Sequence, residues 1–456
     1  MLKESEKMKQ KSNFNYFMAL WIGELVSLVG NGLSSFALSI YVYQQTGEAT
    51  HLSLLTLFSF LPSVLLTPIA GGLADRFNRR VLMLIGDSLS AVGLIFIYFH
   101  IQNGTSSFTI IVIGVTISSI FSSLLEPAYR ATITEILTPD EFSKASGLVQ
   151  LAGAAKFLFA PLLAGILLQF MSIEKILLID ISTFFVTVAS ILYVMRAKKT
   201  TEKKEQHEEP FLLSLKNGWD YMMKKQGIIA LILAMTIVSF SMGFLQTLIK
   251  PLLLSSLNVA QVGTFESFAA VGMLVSSLAI GLTKRKWQLQ QTLGKALLFS
   301  GLAISLLGVN FPIVFLGLAA FCFFSFLPFI NMSADVLLRS NVDEAFQGRV
   351  WGITGLVSQF GFVISYAISG PLADYLFIPI FATNGILAPS LGKIFGVGNS
   401  RGIGFLFFIT GILLSCTGVY FSKSSKINLL SKNADVIRDQ AVEAEMNESF
   451  SESELS

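Results

Sequence analysis

Apolar residues run along this chain in twelve long blocks, at roughly 15–43, 52–72, 80–100, 107–127, 145–170, 174–195, 227–251, 261–283, 293–309, 312–334, 348–375 and 402–422. A helix needs about 20 residues to cross a bilayer, and the blocks match that length. None alternates apolar and polar positions over about 10 residues, so the pattern predicts helical spans and excludes a membrane β-barrel. Short polar links join most blocks. One long hydrophilic break, 196–225, divides them six and six.

The pattern predicts five segments: a tail at 1–14, a six-helix bundle at 15–196, a linker at 197–226, a second six-helix bundle at 227–423, and a disordered acidic tail at 424–456. Inside the linker, Phe211, Leu212, Leu215, Trp219, Met222 and Met223 recur at helical spacing with lysines elsewhere. That face fits a helix lying on the membrane surface; the other reading is an extension of the seventh span. The acidic, polar residues beyond Lys432 lack the apolar content to fold alone. A faint repeat ties the halves. Pro139-Asp140-Glu141 recurs as Val342-Asp343-Glu344, and Ala160-Pro161-Leu162-Leu163-Ala164 is echoed by Gly370-Pro371-Leu372-Ala373-Asp374, as expected of two copies of one six-span unit.

Composition agrees. Of 456 residues, 53% are hydrophobic and only 13% charged, where a soluble domain carries about 25% charge. The net charge of +3 is too small to point to nucleic acid. Its distribution carries the information. With the N-terminus in the cytoplasm, 27 of the 32 Lys and Arg residues fall on the inner side and four on the outer, with Lys156 alone inside a span. This is a positive-inside pattern, and it predicts a multi-pass cytoplasmic-membrane protein with both termini inside. The first apolar run lacks a small-residue cleavage site and reads as an uncleaved span. Cys322 and Cys416 fall within spans, so no disulfide framework is expected. The three histidines, His51, His100 and His207, sit with no nucleophile or metal-ligand spacing inside a span, which argues against an enzyme and against a metal centre.

Between spans two and three lies Gly71-Gly72-Leu73-Ala74-Asp75-Arg76-Phe77-Asn78-Arg79-Arg80. In sequence, side and span number this stretch resembles the signature loop of the major facilitator superfamily. Trp21-Ile22-Gly23-Glu24-Leu25-Val26-Ser27, Glu126-Pro127-Ala128 and Gly348-Arg349-Val350 extend the likeness, over nearly the whole chain, to macrolide-efflux proteins and their drug:proton antiporter relatives. The resemblance implies an all-α fold of two pseudo-symmetric six-helix bundles around a central site. It also implies a conformational latch made of Gly71, Asp75, Arg76, Arg79, Arg80, Glu126 and Arg349. In it, Asp75 would cap or pair with the start of span eleven near Gly348-Arg349, and Arg79 would pair with Glu126. A carboxylate at a helix N-terminus gains up to about 2 kcal/mol when partly buried. The residue-level alternative is that these charges anchor the loop to lipid head groups. Asn78 stands at a glycine position of the loop, and asparagine also accepts left-handed backbone geometry. The family's helix-packing motif in span five is partly kept as Gly147, Ala160, Pro161, Ala164 and Gly165, with Lys156 at one of its glycine positions. Ser118 stands where many of these antiporters carry arginine.

Intramembrane polar residues supply the remaining candidates. Glu24, Ser27, Asn31, Ser34 and Ser35 share one face of span one. Such a stripe faces protein or water, not lipid. Glu24 is either a proton-exchanging carboxyl or an interhelical hydrogen-bonding group. Asp87 belongs either with it or with the charges of the arginine loop. Lys156, midway along span five, needs a partner or loses its proton; Glu24, Asp180 and pore water are the candidate partners. It is a substrate-site cation or switching ion pair on one reading, and a static pair or snorkelling side chain on the other. Gln150, Gln246, Asn331 and Gln359 are further cavity-lining candidates. Gly396-Val397-Gly398 with Gly402 has no strand–turn–helix frame and is no nucleotide motif.

These features predict a monomeric secondary active transporter in the lipid bilayer, with no cofactor. It exports small amphiphilic, macrolide-like compounds in exchange for protons. Uptake or efflux of a specific metabolite or siderophore, and a nontransporting sensor, are the alternatives.

Overall fold

A computed structural model of the protein describes residues 13–195, 211–283 and 287–437. Among the described residues it is all helix, with no strand. The helices are α1 (Phe14–Thr46), α2 (Ala49–Arg76), α3 (Arg79–Gln102), α4 (Phe108–Ser122), α5 (Leu125–Ile136), α6 (Phe142–Phe170), α7 (Ile173–Val194), α8 (Phe211–Met223), α9 (Gln226–Leu254), α10 (Val259–Leu282), α11 (Leu289–Leu307), α12 (Ile313–Asn341), α13 (Glu344–Pro371) and α14 (Asn399–Lys423). Among the described residues, eleven helical stretches are long and apolar enough to cross a membrane. The one expected span outside that set is α11, whose start carries Gln290, Gln291, Thr292 and Lys295.

Local chemistry explains the boundaries. Gly47 ends α1 in the left-handed region at φ 68°, donating its N–H to Tyr43 O at 2.8 Å. Span four, expected as one helix, is broken between α4 and α5. Pro127 has no N–H for the carbonyl of Ser123, and its ring crowds that carbonyl, so the ladder parts there. Asn78 takes extended backbone (φ −65°, ψ 113°), not the left-handed geometry considered for it. Its side chain instead accepts the Arg80 N–H at 3.1 Å and caps α3. α8 is a helix separate from α9, as expected of a surface helix and not of an extended span. Residues 424–437, assigned by sequence to a disordered tail, are helical from 425 on. Ile427 and Leu430 are buried, and Asn341 donates from Nδ2 to Leu430 O at 3.0 Å. The linker at 197–210, the first twelve residues and those beyond 437 lie outside the described residues.

The chain forms two compact units. The first unites α1–α7 with the stretches Thr247–Ala270 and Tyr366–Leu376, and the second holds the remainder of the described chain. These units cut across the expected bundles at 15–196 and 227–423. The reason is that one end of α9, α10 and α13 packs on the first six spans.

In the first unit, Phe17, Leu20, Met83, Ala128, Ile136 and Ile191 form a core from four helices beneath the arginine loop. In the second, α11 and α14 cross antiparallel on glycines. Gly294, Gly301 and Gly308 face a row made by Gly404, Gly411 and Gly418, both at steps of seven. A Cβ on Gly301 would overlap the Ser415 backbone nitrogen, and one on Gly308 would overlap the Gly404 carbonyl oxygen. Lipid gives apolar helices little reason to associate, so close backbone approach through small residues supplies the packing. The 376–401 link folds around Phe377, Phe381, Phe395, Phe405 and Phe408, whose neighbouring rings lie 5.0–6.3 Å apart. Gly396 and Gly398 adopt positive φ of 86° and 128° in that link, a turn requirement that accounts for them without a ligand.

Gly301→Leu and Gly411→Leu should each force α11 and α14 apart, an overpacking cost of about 1–3 kcal/mol. Lower thermal midpoints of the detergent-solubilised protein check this, with Gly348→Leu, whose surroundings are open, as the silent control.

Candidate functional site

The arginine loop closes on a carboxylate that sequence reasoning missed. Arg79 Nη1 and Arg80 Nη2 each lie 3.5 Å from Glu135, on opposite oxygens of its carboxylate. Arg80 and Glu135 are nearly enclosed, with side chains 8% and 9% exposed. Arg80 also donates to Val194 O at 2.8 Å, and Arg79 to Ala131 O at 3.1 Å. The expected Arg79–Glu126 pair is replaced by this arrangement. Glu126 points to solvent and binds Arg130 one turn on, at 2.8 Å. The helix step explains it: Glu126 opens α5, whereas Glu135 closes α5 beside the loop. An acidic residue at a helix C-terminus opposes the macrodipole and so favours an external cation; that position follows from where α5 ends at Ile136. Gly71, Asp75 and Arg76 occupy the last turns of α2, and Asp75 and Arg76 are exposed. Arg349, in the second unit, lies 5.4 Å from the Phe346 ring centroid.

A cavity of about 340 Å³ opens among α1–α4, α6 and α7. Ten serines and two threonines line it, together with Asn31, Asp87, Lys156 and Asp180. The stripe read on α1 is its first wall: Ser27, Asn31, Ser34 and Ser35 all face in. Ser59 and Ser63 of α2, and Ser118 and Ser122 of α4, add walls at steps of four. Two glycines make room. A Cβ on Gly30 would sit 2.7 Å from Asp180 Oδ1, and one on Gly32 would meet Ala160 Cβ at 2.5 Å and Lys156 Cγ at 3.3 Å. The lysine stem therefore runs along α1. Ser118 donates to Ser90 O at 2.5 Å. An arginine in its place would reach into the space that the cavity occupies.

Asp87 and Asp180 are both 6% exposed, and the Oδ2 atom of each has no hydrogen-bond partner among the described residues. The buried hydroxyl oxygen of Ser119 is likewise unpartnered there, and the Ser34 hydroxyl stands beside Asp180. Lys156 lies within electrostatic range of Asp180 and Glu24, yet among the described residues no close ion pair satisfies it. A polar chamber with spare acceptors, spare hydroxyls and one cation is equipped to hold water and pass a proton. Asp87 faces this chamber and not the arginine loop. Glu24 stands outside the wall, within electrostatic range of Asp87 and Lys156. Gln150 is exposed and does not line the chamber. Gln246, Asn331 and Gln359 belong to the second unit and are not among its lining residues.

Four of the five residues singled out in span five pack closely, and one does not. Ala160 and Ala164 are buried, and Pro161 and Gly165 meet α10 backbone to backbone: a Cβ on Gly263 would overlap the Pro161 carbonyl oxygen. Gly147 is exposed with open space around its Cβ position, so the packing role does not extend to it. Trp21 Nε1 donates to Leu148 O at 2.6 Å and ties α1 to α6.

A family model described as the Major Facilitator Superfamily matches residues 20–366. Macrolide efflux protein A of Streptococcus pyogenes is 25% identical over 368 residues, which cover 78% of this chain and 89% of that protein. The protein of the same name from Enterococcus faecalis is 24% identical over 321 residues, covering 68% of this chain and 97% of that protein. A solved structure of a bacterial homologue of the iron transporter ferroportin, in an inward-facing state, aligns with a TM-score of 0.69 at 14% identity. It covers 91% of this chain and 100% of that one, and the likeness speaks to fold alone.

Glu135→Ala should destabilise the protein by about 3–5 kcal/mol, because it strips a buried guanidinium of its carboxylate. Glu126→Ala should cost at most about 1 kcal/mol, as exposed pairs do. Expression level and thermal midpoint of the two variants, compared directly, check the assignment.

Proposed function

The chain belongs to the major facilitator superfamily and is a multi-pass membrane transporter, and from that premise we propose that it exports amphiphilic, macrolide-like compounds in exchange for protons. The observation that carries the exchange step is the chamber of hydroxyls around Asp87, Asp180 and Lys156, with carboxylate oxygens left unpartnered in its wall. Two neighbouring carboxylates and an ammonium share charge, so a proton gained by one is felt by the others. In this reading Asp87 and Asp180 take up and release the coupling proton. Lys156 compensates their charge, and Glu24 relays between the chamber and the arginine-loop end. The likeness to the macrolide efflux proteins of Streptococcus and Enterococcus supports the proposed substrate class. The positive-inside distribution supports an arginine loop and both termini in the cytoplasm.

The energetics suffice. One proton exchanged for a neutral substrate gains about 2.3 kcal/mol per 100 mV. At about 1.4 kcal/mol per tenfold, this sustains a roughly 40-fold gradient.

Cells expressing the protein should accumulate less of a labelled macrolide than cells without it, and an uncoupler should erase the difference. Asp87→Asn and Asp180→Asn should each erase it too, at undiminished protein level. Equal or higher accumulation in expressing cells contradicts export, and efflux untouched by the uncoupler contradicts proton exchange.

A further inference from the structure

We propose that Asp374 is a positioning residue of the transport cycle, which ties α13 to the start of α2 and so holds shut the end of the protein opposite the arginine loop. The first N–H groups of any helix have no partner within it. Glu48, at the N-cap of α2, gives them none. Its carboxylate lies 2.8 Å from His51 Nδ1 instead. The cap comes from a distant span. Asp374 Oδ1 accepts the Ala49 N–H at 3.2 Å, and Oδ2 accepts the Thr50 N–H at 2.6 Å.

The chain is shaped to deliver that carboxylate. After Pro371, which lacks an N–H, residues Leu372–Phe377 wind as a π-helix, a local widening found often at functional positions. Gly370 brings the two backbones together: a Cβ there would overlap both Thr50 Cα and Ser53 Oγ. The Thr247 and Ser369 hydroxyls meet at 2.9 Å, Lys250 pairs with Glu266 at 3.3 Å, and Tyr366 sets its ring edge-on to Phe60. All these contacts lie within the first unit.

The sequence repeats the device. Gly370-Pro371-Leu372-Ala373-Asp374 closes α13 as Gly71-Gly72-Leu73-Ala74-Asp75 closes α2, both reading Gly-x-Leu-Ala-Asp. An aspartate at the C-terminal end of its own helix sits against the negative pole of the macrodipole. It becomes favourable when it is turned onto the N-terminus of another helix, which is the arrangement at Asp374. When the spans part, water replaces the carboxylate at the Ala49 and Thr50 N–H groups. The tie therefore biases the equilibrium without locking it.

This inference rests on the chain being a transporter whose ends open in turn, and not on its substrate or on proton coupling. The test reads exposure and no transport. In full-length protein carrying Cys322→Ser and Cys416→Ser, Ser53→Cys places a thiol under Gly370, where the native serine is fully buried. Labelling by a membrane-impermeant maleimide in proteoliposomes should rise about tenfold with Asp374→Ala and less with Asp374→Asn, which keeps an acceptor. A thiol introduced by Ser300→Cys, at a fully buried position of the second unit, should label no faster. Adding Glu48→Ser to Asp374→Ala caps α2 from its own chain and should leave labelling at position 53 high. Unchanged labelling with Asp374→Ala, an equal rise at position 300, or rescue by Glu48→Ser each overturns the proposal.

Discussion

A charge in hydrocarbon costs several kcal/mol unless a partner or water meets it, and that constraint orders this molecule from its sequence to its site. Several charges in or beside the spans are either buried in pairs or turned toward a chamber. Arg79 and Arg80 converge on Glu135, and Lys250 meets Glu266. Asp87, Asp180 and Lys156 are gathered into a serine-lined chamber inside the first six spans. The same demand applies to backbone. The uncapped start of α2 is met by a carboxylate from the π-helical segment after α13, 324 residues along the chain. Satisfied pairs hold the architecture, and the groups left with spare capacity are those suited to exchange.

Glycine spacing is the second half of the arrangement. Hydrocarbon provides little drive to bring apolar helices together, so contact depends on how closely backbones approach. The Gly294-Gly301-Gly308 and Gly404-Gly411-Gly418 rows do this for α11 and α14, and Gly165 with Gly263 does it for α6 and α10. Gly30 and Gly32 serve a different end. Their missing side chains admit Asp180 and Lys156 beside α1, so the chamber owes its contents to two positions on the helix that forms its first wall.

Much of this was legible in the sequence, and the failures have physical causes. The spans were plain because a bilayer imposes one length on every crossing helix. The α1 stripe of Ser27, Asn31, Ser34 and Ser35 was read from its steps of three and four, and it does line the chamber. The Arg79 partner was misassigned. Sequence distance favours neither Glu126 nor Glu135, and only the break at Pro127 and the length of α5 decide which carboxylate reaches the loop. The helix over 425–437 was missed because Ile427 and Leu430 are too few to signal burial alone; their partners lie at Asn341 and around Gly227, far along the chain. Asp374 was seen only as part of a repeat, since a cap supplied across 324 residues leaves no local trace.

The central claim is that the Asp87–Asp180–Lys156 chamber moves a proton for each substrate carried. Proteoliposomes loaded with a pH-sensitive dye test it most directly, with a macrolide added outside and no imposed gradient. The account predicts that substrate movement shifts the internal pH in the sense of counterflow, and that Asp87→Asn and Asp180→Asn abolish the shift. Macrolide movement with no change in internal pH, or a full shift in both variants, would contradict it.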